Sequence, residues 1–345
     1  MLQNKFNWPL WHWHFEVSSI CTLKCPRCPR QEVPETLVQD QLRLDFFEKN
    51  FTQEVMQQVS RISFCGDDGD PIYAKEFLEI VSYLKKTNPT LNILIVTNGS
   101  YKPVEWWQSL VQVLNQHDEI HFSLDGWNQS SNEQYRVNCD WNSIQQAVAT
   151  VVGHAPTITW AGIVFSFNES HIEKMKQLSK DWGMDKFQIT FSSKFGNNYD
   201  HYNIEGKDYL QPTNAYVNTQ RRFDRQITHH TNKKLVQDTS IAKNIEMFKS
   251  VAERKNIIPL CLIGTKGLYV NSQGYFMPCC WLGNRYNYTN YSKFLHDDLN
   301  IKKMGLHHVL NSDYWEEFFE EFHNITECKQ KCSAKLVNQE YATNW

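Results

Sequence analysis

No stretch of this chain is apolar for long enough to cross a bilayer: its longest apolar runs, such as Ile93 to Val96, fall far short of the ~20 residues a spanning helix needs. The first residues, Met-Leu-Gln-Asn-Lys-Phe-Asn-Trp, hold neither the apolar stretch nor the small-residue cleavage site of a secretory signal. A cytoplasmic location without membrane contact is therefore expected. Charge of one sign is missing too. The 35 Lys and Arg against 38 Asp and Glu leave a formal −3, so nothing global draws the chain to nucleic acid or to an anionic lipid surface. Internal repeats and low-complexity tracts are also absent.

What is present suits an enzyme. The 345 residues, 41% hydrophobic and 14% aromatic, can fill one large core and a smaller one. Ten cysteines in a reducing compartment point to metal binding or catalysis and away from a disulfide framework. From residue 11 to about 195, short β-rich runs alternate with amphipathic segments of helical length, the pattern of βα units around a parallel sheet. Strands are expected at Trp11 to Ser18, Arg61 to Cys65, Asn92 to Thr97, Glu119 to Leu124, Thr157 to Phe165 and Lys186 to Phe191. Helices are expected at Asp45 to Val59, Ala74 to Lys86, Val104 to Gln116, Trp141 to Val152 and Glu169 to Trp182, where apolar residues recur every three or four positions. A polar stretch from Gly196 follows, with the basic cluster Arg221, Arg222, Arg225, His229, His230, Lys233 and Lys234. It reads as an inter-domain linker whose charges form a solvated face, or as a receiver for an anionic substrate group. A helix from about Thr239 to Lys255 then leads to a C-terminal segment. The expected domains are thus 1–195, a linker and bridging helix over 196–255, and 256–345.

Directly after the first expected strand stands Cys21-Thr-Leu-Lys-Cys25-Pro-Arg-Cys28. A three-residue gap followed by a two-residue gap brings three thiolates onto one tight loop, one ligand short of closing an iron-sulfur cluster. A half-built zinc site or a disulfide are the plainer alternatives. Zinc knuckles usually show two-residue gaps and a second Cys or His pair nearby, and none follows before Cys65.

The spacing resembles the signature of the radical S-adenosylmethionine (SAM) enzymes. The resemblance implies a 4Fe-4S cluster on Cys21, Cys25 and Cys28, with the methionine end of SAM on the fourth iron and a 5′-deoxyadenosyl radical as the oxidant. It also implies a partial (β/α)6 TIM-like barrel, whose strand C-termini carry the chemistry. Arg27 departs from the pattern, because many members place an aromatic residue before the third cysteine. It either stacks its guanidinium on a purine or points to solvent.

The loop after the second strand, Cys65-Gly66-Asp67-Asp68-Gly69-Asp70-Pro71, would alone be a glycine-rich turn. Beside the cysteine triad it resembles the family's Gly-Gly-Glu-Pro motif, with Gly66, Gly69 and Asp70 receiving the SAM amino group. Thr97-Asn98-Gly99-Ser100 and Ser123-Leu124-Asp125-Gly126 resemble the next two loops, which implies SAM or substrate contacts at Asn98, Ser123 and Asp125. Asn168 is a further candidate, with capping of the following helix as its alternative.

The C-terminal segment repeats the theme with Cys261, the pair Cys279-Cys280, Cys328 and Cys332. A β-hairpin over Gly267 to Phe276, turned at Asn271 to Gly274, would bring Cys261 and Cys279 together, and Cys328 and Cys332 lie one helical turn apart. Four cysteines suit structural zinc as well as iron. The arrangement resembles the auxiliary-cluster domains of the SPASM and twitch subfamilies, in the twitch form with a single cluster, held in a small α+β domain by Cys261, Cys279, Cys328 and Cys332. Cys279 is preferred over Cys280 because it follows Pro278, as in the family motif.

Cys65 and Cys139 are left over, and a free cysteine is usually a small buried hydrophobe. Cys65, at a strand C-terminus, is also a candidate hydrogen-atom donor to a substrate radical. In Trp11-His12-Trp13-His14 one residue type should face inward and the other outward, with core packing favoured over metal binding. Asp313 to Phe322 reads as an amphipathic cover over the second domain.

The expected activity is reductive SAM cleavage and hydrogen abstraction from a peptide or protein side chain, leading to crosslinking, epimerisation or oxidation. Oxidation of a sugar or aminoglycoside alcohol is the small-molecule rival. Only twenty residues precede Cys21, so a peptide would need a separate carrier or direct binding at the barrel mouth. A non-catalytic electron carrier or redox sensor, or a zinc-stabilised binding protein, are the rivals of other classes. An electron donor such as flavodoxin or ferredoxin is the expected redox partner.

Overall fold

The computed structural model of the chain describes residues 4–190, 192, 203–204, 207–208, 210–213, 260–262 and 267–332. The basic cluster from Arg221 to Lys234 and the expected helix Thr239 to Lys255 lie outside the described residues.

Eight strands form one sheet: β1 (His12–Phe15), β2 (Arg61–Phe64), β3 (Asn92–Thr97), β4 (Glu119–Ser123), β5 (Thr157–Ile163), β6 (Lys186–Thr190), β7 (Leu268–Val270) and β8 (Phe276–Met277), in the spatial order β8-β7-β1-β2-β3-β4-β5-β6. β1 through β6 pair in parallel with their sequence neighbours, and amphipathic helices run between them. This is the expected α/β partial barrel. Parallel pairing puts every strand C-terminus at one edge, where the loops with the sequence motifs converge. The opposite edge holds a buried ion pair instead, Lys85 Nζ to Asp118 Oδ2 at 2.9 Å, and Asp118 Oδ1 accepts the Ile93 amide that starts the β3 ladder at 2.8 Å.

Alternation along β1 divides its side chains between two covered faces. Trp13 and Phe15 pack on Phe51 with ring centroids 5.0 Å away in both cases, and all three are fully buried. His12 and His14 take the other face, where their Nε2 atoms hydrogen-bond Ser63 Oγ and the Cys65 carbonyl, each at 3.0 Å. Neither histidine is exposed, because a parallel sheet is covered on both sides. The helix expected over Asp45 to Val59 is two pieces, Leu44–Asn50 and Gln53–Met56. Phe51 leaves helical geometry (φ −112°, ψ 54°), and its ring lies buried against β1.

The C-terminal hairpin turns where its sequence indicates, with Gly274 at φ 89° and its amide donating to Asn271 O at 2.9 Å. Its strands are not confined to a separate small domain. β7 pairs in parallel with β1, Trp13 opposite Leu268 and Phe15 opposite Val270, and so extends the barrel sheet. The helix Tyr314–Glu321 covers this extension: Trp315 meets Phe276 of β8 at 5.3 Å and Trp8 at 5.1 Å, while Glu316, Glu317 and Glu320 face solvent. Among the described residues no helix is long and apolar enough to cross a membrane.

Candidate active site

The cysteine loop leaves the C-terminal end of β1. The Cys28 amide donates to Cys25 O at 3.1 Å, and the Cys28 carbonyl accepts from Gln31 and Glu32 of the short helix Pro29–Glu32, so the third cysteine is fixed at a helix start. From the other side the loop is pinned by the segment after β4: Lys24 N donates to Val137 O at 3.0 Å, and Asn138 Nδ2 to Thr22 O at 2.9 Å. Burial pushes the Cys21 and Cys28 thiols up to about 12, and the neighbouring cysteine sulfurs add to the rise, which places the three side chains within electrostatic reach of one another. Such thiols lose their protons when a cation takes the proton's place. Arg27 is buried, so the solvent-facing alternative is removed.

Close approach explains both glycines of the next loop. A Cβ on Gly69 would lie 1.8 Å from Ser18 O, and one on Gly66 would lie 2.5 Å from Glu16 Oε1. Gly69→Ala is expected to destabilise the protein by roughly 3 kcal/mol or more, because the obstacle is backbone and cannot swing aside. A thermal melt of the variant that coincides with the unaltered chain would contradict this. Glu16 holds the loop from within: its carboxylate accepts from the Asp68 amide, from the Gly69 amide at 3.1 Å and from the Tyr269 hydroxyl. Burial, followed by the charges of Asp68 and Asp67, raises its pKa well above the usual carboxyl range.

Asp70 is buried and its oxygens are engaged. They accept from Thr97 Oγ1 at 2.9 Å, Ile72 N at 3.2 Å, Asn98 N at 2.7 Å and Asn98 Nδ2 at 2.6 Å. Desolvation lifts its pKa to about 6 against the opposing pull of the Asn98 and Thr97 donors. The carboxylate therefore joins the β2 and β3 loops and turns Asn98 toward the cysteines, with Nδ2 at 3.6 Å from Cys21 Sγ.

The ends of β4 and β5 are joined in the same manner. Asp125 accepts from Ile163 N at 2.6 Å and from Arg136 Nε at 2.6 Å. Asn168 does not cap the following helix; its Nδ2 donates to Asp125 O and Ile163 O, both at 2.8 Å, and its Oδ1 accepts from Phe165 N. Asp125 and Asn168 thus shape the mouth by binding their own chain. Ser123, the last residue of β4, is half-buried there. Arg136 was not apparent from the sequence: its guanidinium lies between Asp125 and Cys25, whose raised thiol pKa, due first to burial, it lowers in part.

The second cysteine set also assembles. Cys261, Cys279, Cys328 and Cys332 are buried and line one pocket with Trp281 and Phe322. Burial and mutual repulsion raise the Cys261 and Cys328 thiols. Cys280 does not line this pocket and instead lies within electrostatic reach of Cys65, on the barrel side. Cys139 is a packed cysteine whose sulfur accepts from Asn132 Nδ2 at 3.3 Å. Both cysteine sets bring together thiols whose raised pKa comes from burial and from one another, the soft donor set that an iron-sulfur cluster takes.

Residues 261–333 match the SPASM family, an iron-sulfur cluster-binding domain. The chain therefore carries a SPASM domain. In overall fold the chain resembles anSMEcpe with bound AdoMet, at a TM-score of 0.57 and 17% identity over 93% of this chain and 86% of that one. It is similarly close to Streptococcus suis SuiB bound to its precursor peptide SuiA, at a TM-score of 0.57 and 14% identity over 98% and 75%. In sequence it is 26% identical over 213 residues to the subtilosin biosynthesis protein AlbA of Bacillus subtilis, a match that spans 61% of this chain but only 44% of AlbA.

Proposed function

We propose that this chain is a radical SAM enzyme that cleaves SAM reductively at the mouth of its barrel and abstracts a hydrogen atom from a peptide or protein side chain. The observation that carries this reading is the single loop of Cys21, Cys25 and Cys28 at the strand C-termini, with Asn98 aimed at Cys21 and the Gly66–Asp70 loop beside it. Cys21, Cys25 and Cys28 would hold the first cluster, and Cys261, Cys279, Cys328 and Cys332 the second. With SAM bound and one electron delivered by an external donor, the first cluster would supply a strongly oxidising carbon radical. The chain's own residues do the positioning. Asp70 fixes Asn98 near the cysteines, Arg136 sets a cation against Cys25, and the joined ends of β4 and β5 build the far wall of the mouth. A peptide substrate is supported by AlbA, a bacteriocin biosynthesis protein, and by the fold neighbours anSMEcpe and SuiB, solved with bound peptides.

The test is anaerobic reconstitution followed by reduction in the presence of SAM. Two 4Fe-4S clusters predict about eight irons per chain and release of 5′-deoxyadenosine. Full iron without SAM cleavage would sink the enzymatic reading and leave an electron carrier.

A further inference from the structure

Two adjacent residues of the SPASM region reach into the loops of the barrel mouth. Arg285, 1% exposed, donates Nε to Asp68 Oδ1 at 2.7 Å and brings Nη2 to the same oxygen at 2.6 Å. Its Nη1 donates to Val33 O at 2.8 Å and to Thr36 Oγ1 at 2.6 Å, just past the cysteine loop. Tyr286 gives its hydroxyl to Arg27 O at 2.7 Å, one residue before Cys28. Asp68 stands between the two glycines of the Gly66–Gly69 loop, and its amide is held by Glu16, which in turn takes the hydroxyl of Tyr269 on β7. A loop with two glycines has many backbone states of its own. This one is held by Glu16 and by Arg285, and Glu16 is in turn held by Tyr269, so that two of these three side chains, Arg285 and Tyr269, come from more than two hundred positions away in the chain.

We propose that Arg285 is a positioning residue for SAM: by pairing with Asp68 it holds the Gly66–Asp70 loop in its binding conformation, so that order around Cys279, six residues before Arg285, is linked to SAM affinity at the first site. The inference rests on the reading that this mouth binds SAM. A guanidinium suits the task because its planar fork reaches Asp68, Val33 and Thr36 at once, which a lysine ammonium on one stem cannot reproduce. Arg285 touches no reacting atom in this scheme. Its effect passes through Asp68 to the Gly69 and Asp70 backbone.

The experiment compares the unaltered protein with Arg285→Gln, Arg285→Lys and the neutral pair Asp68→Asn with Arg285→Gln, all reconstituted anaerobically. Three quantities are read: iron per chain, the dissociation constant of labelled SAM by equilibrium dialysis, and amide hydrogen exchange of residues 65–70 without SAM. Arg285→Gln is expected to keep its iron, to bind SAM roughly tenfold more weakly and to exchange loop amides roughly tenfold faster, a size ordinary for coupled buried partners. Arg285→Lys should recover part of both losses. SAM affinity and loop exchange within twofold of the unaltered protein, with iron retained, would overturn the proposal. If Arg285→Gln does not fold, the neutral pair strands no buried charge and is judged by the same two readouts. If the unaltered protein binds no SAM, the site reading fails on its own account, and loop exchange still decides whether Arg285 holds the loop.

Discussion

Cys25→Ala is expected to hold about four irons per chain where the unaltered protein holds about eight, and to release no 5′-deoxyadenosine under reducing conditions. Cys25 is the most enclosed of the first three cysteines, at 8% exposure, and lies beside the buried Asp125–Arg136 pair. Removing its thiolate leaves two protein ligands where three are needed, in an enclosed position that water or a buffer thiol fills poorly. The second cysteine set, assembled from other elements, should keep its iron. Cys139→Ala is the control, because that thiol bonds Asn132 within the chain and its loss should leave about eight irons and SAM cleavage in place. Iron content and 5′-deoxyadenosine, measured by colorimetry and chromatography, read both outcomes. A Cys25→Ala protein that still forms 5′-deoxyadenosine at the unaltered rate would show that the first cluster is held elsewhere.

Periodicity along the chain located most of the fold. Asn92 to Thr97 is a strand with the expected bounds, since its apolar residues need cover on both faces and Asn88 to Asn92 and Asn98-Gly99 punctuate it. The break at Phe51 was not legible, because the apolar spacing runs through it and only the aromatic cluster with Trp13 and Phe15 draws the ring out of register. The hairpin at Asn271 to Gly274 could be read from its turn residues, but not its pairing to β1, which joins segments some 250 residues apart and depends on which sheet edge is open. At the site, residue types were readable and their occupancy was not. Asp70 carries the expected carboxylate, yet four donors of its own chain use it. Glu16, Arg136 and Arg285 carry no local signature at all. A buried charge announces itself only through its partner, and Asp68 is 217 positions from Arg285.

The adjacent pair Cys279-Cys280 gives the sharpest division between two neighbouring residues. Cys279→Ala is expected to lose the second cluster, leaving about four irons per chain, whereas Cys280→Ala should keep about eight. Cys279 follows Pro278, lines the pocket with Cys261, Cys328 and Cys332, and adds to the rise of the Cys261 and Cys328 thiols. One residue further, the chain turns: the Leu282 amide donates to Cys279 O at 3.1 Å and the Gly283 amide to Cys280 O at 3.0 Å, which carries Cys280 to the Cys65 side. Consecutive side chains on such a turn cannot both reach one cluster without unwinding it. Loss of the second cluster should also loosen the segment that ends in Arg285, so Cys279→Ala is expected to weaken SAM binding while Cys280→Ala does not. Iron analysis and SAM dialysis on the two variants measure both consequences, and equal iron loss from both would mean that Cys280 shares the ligand role.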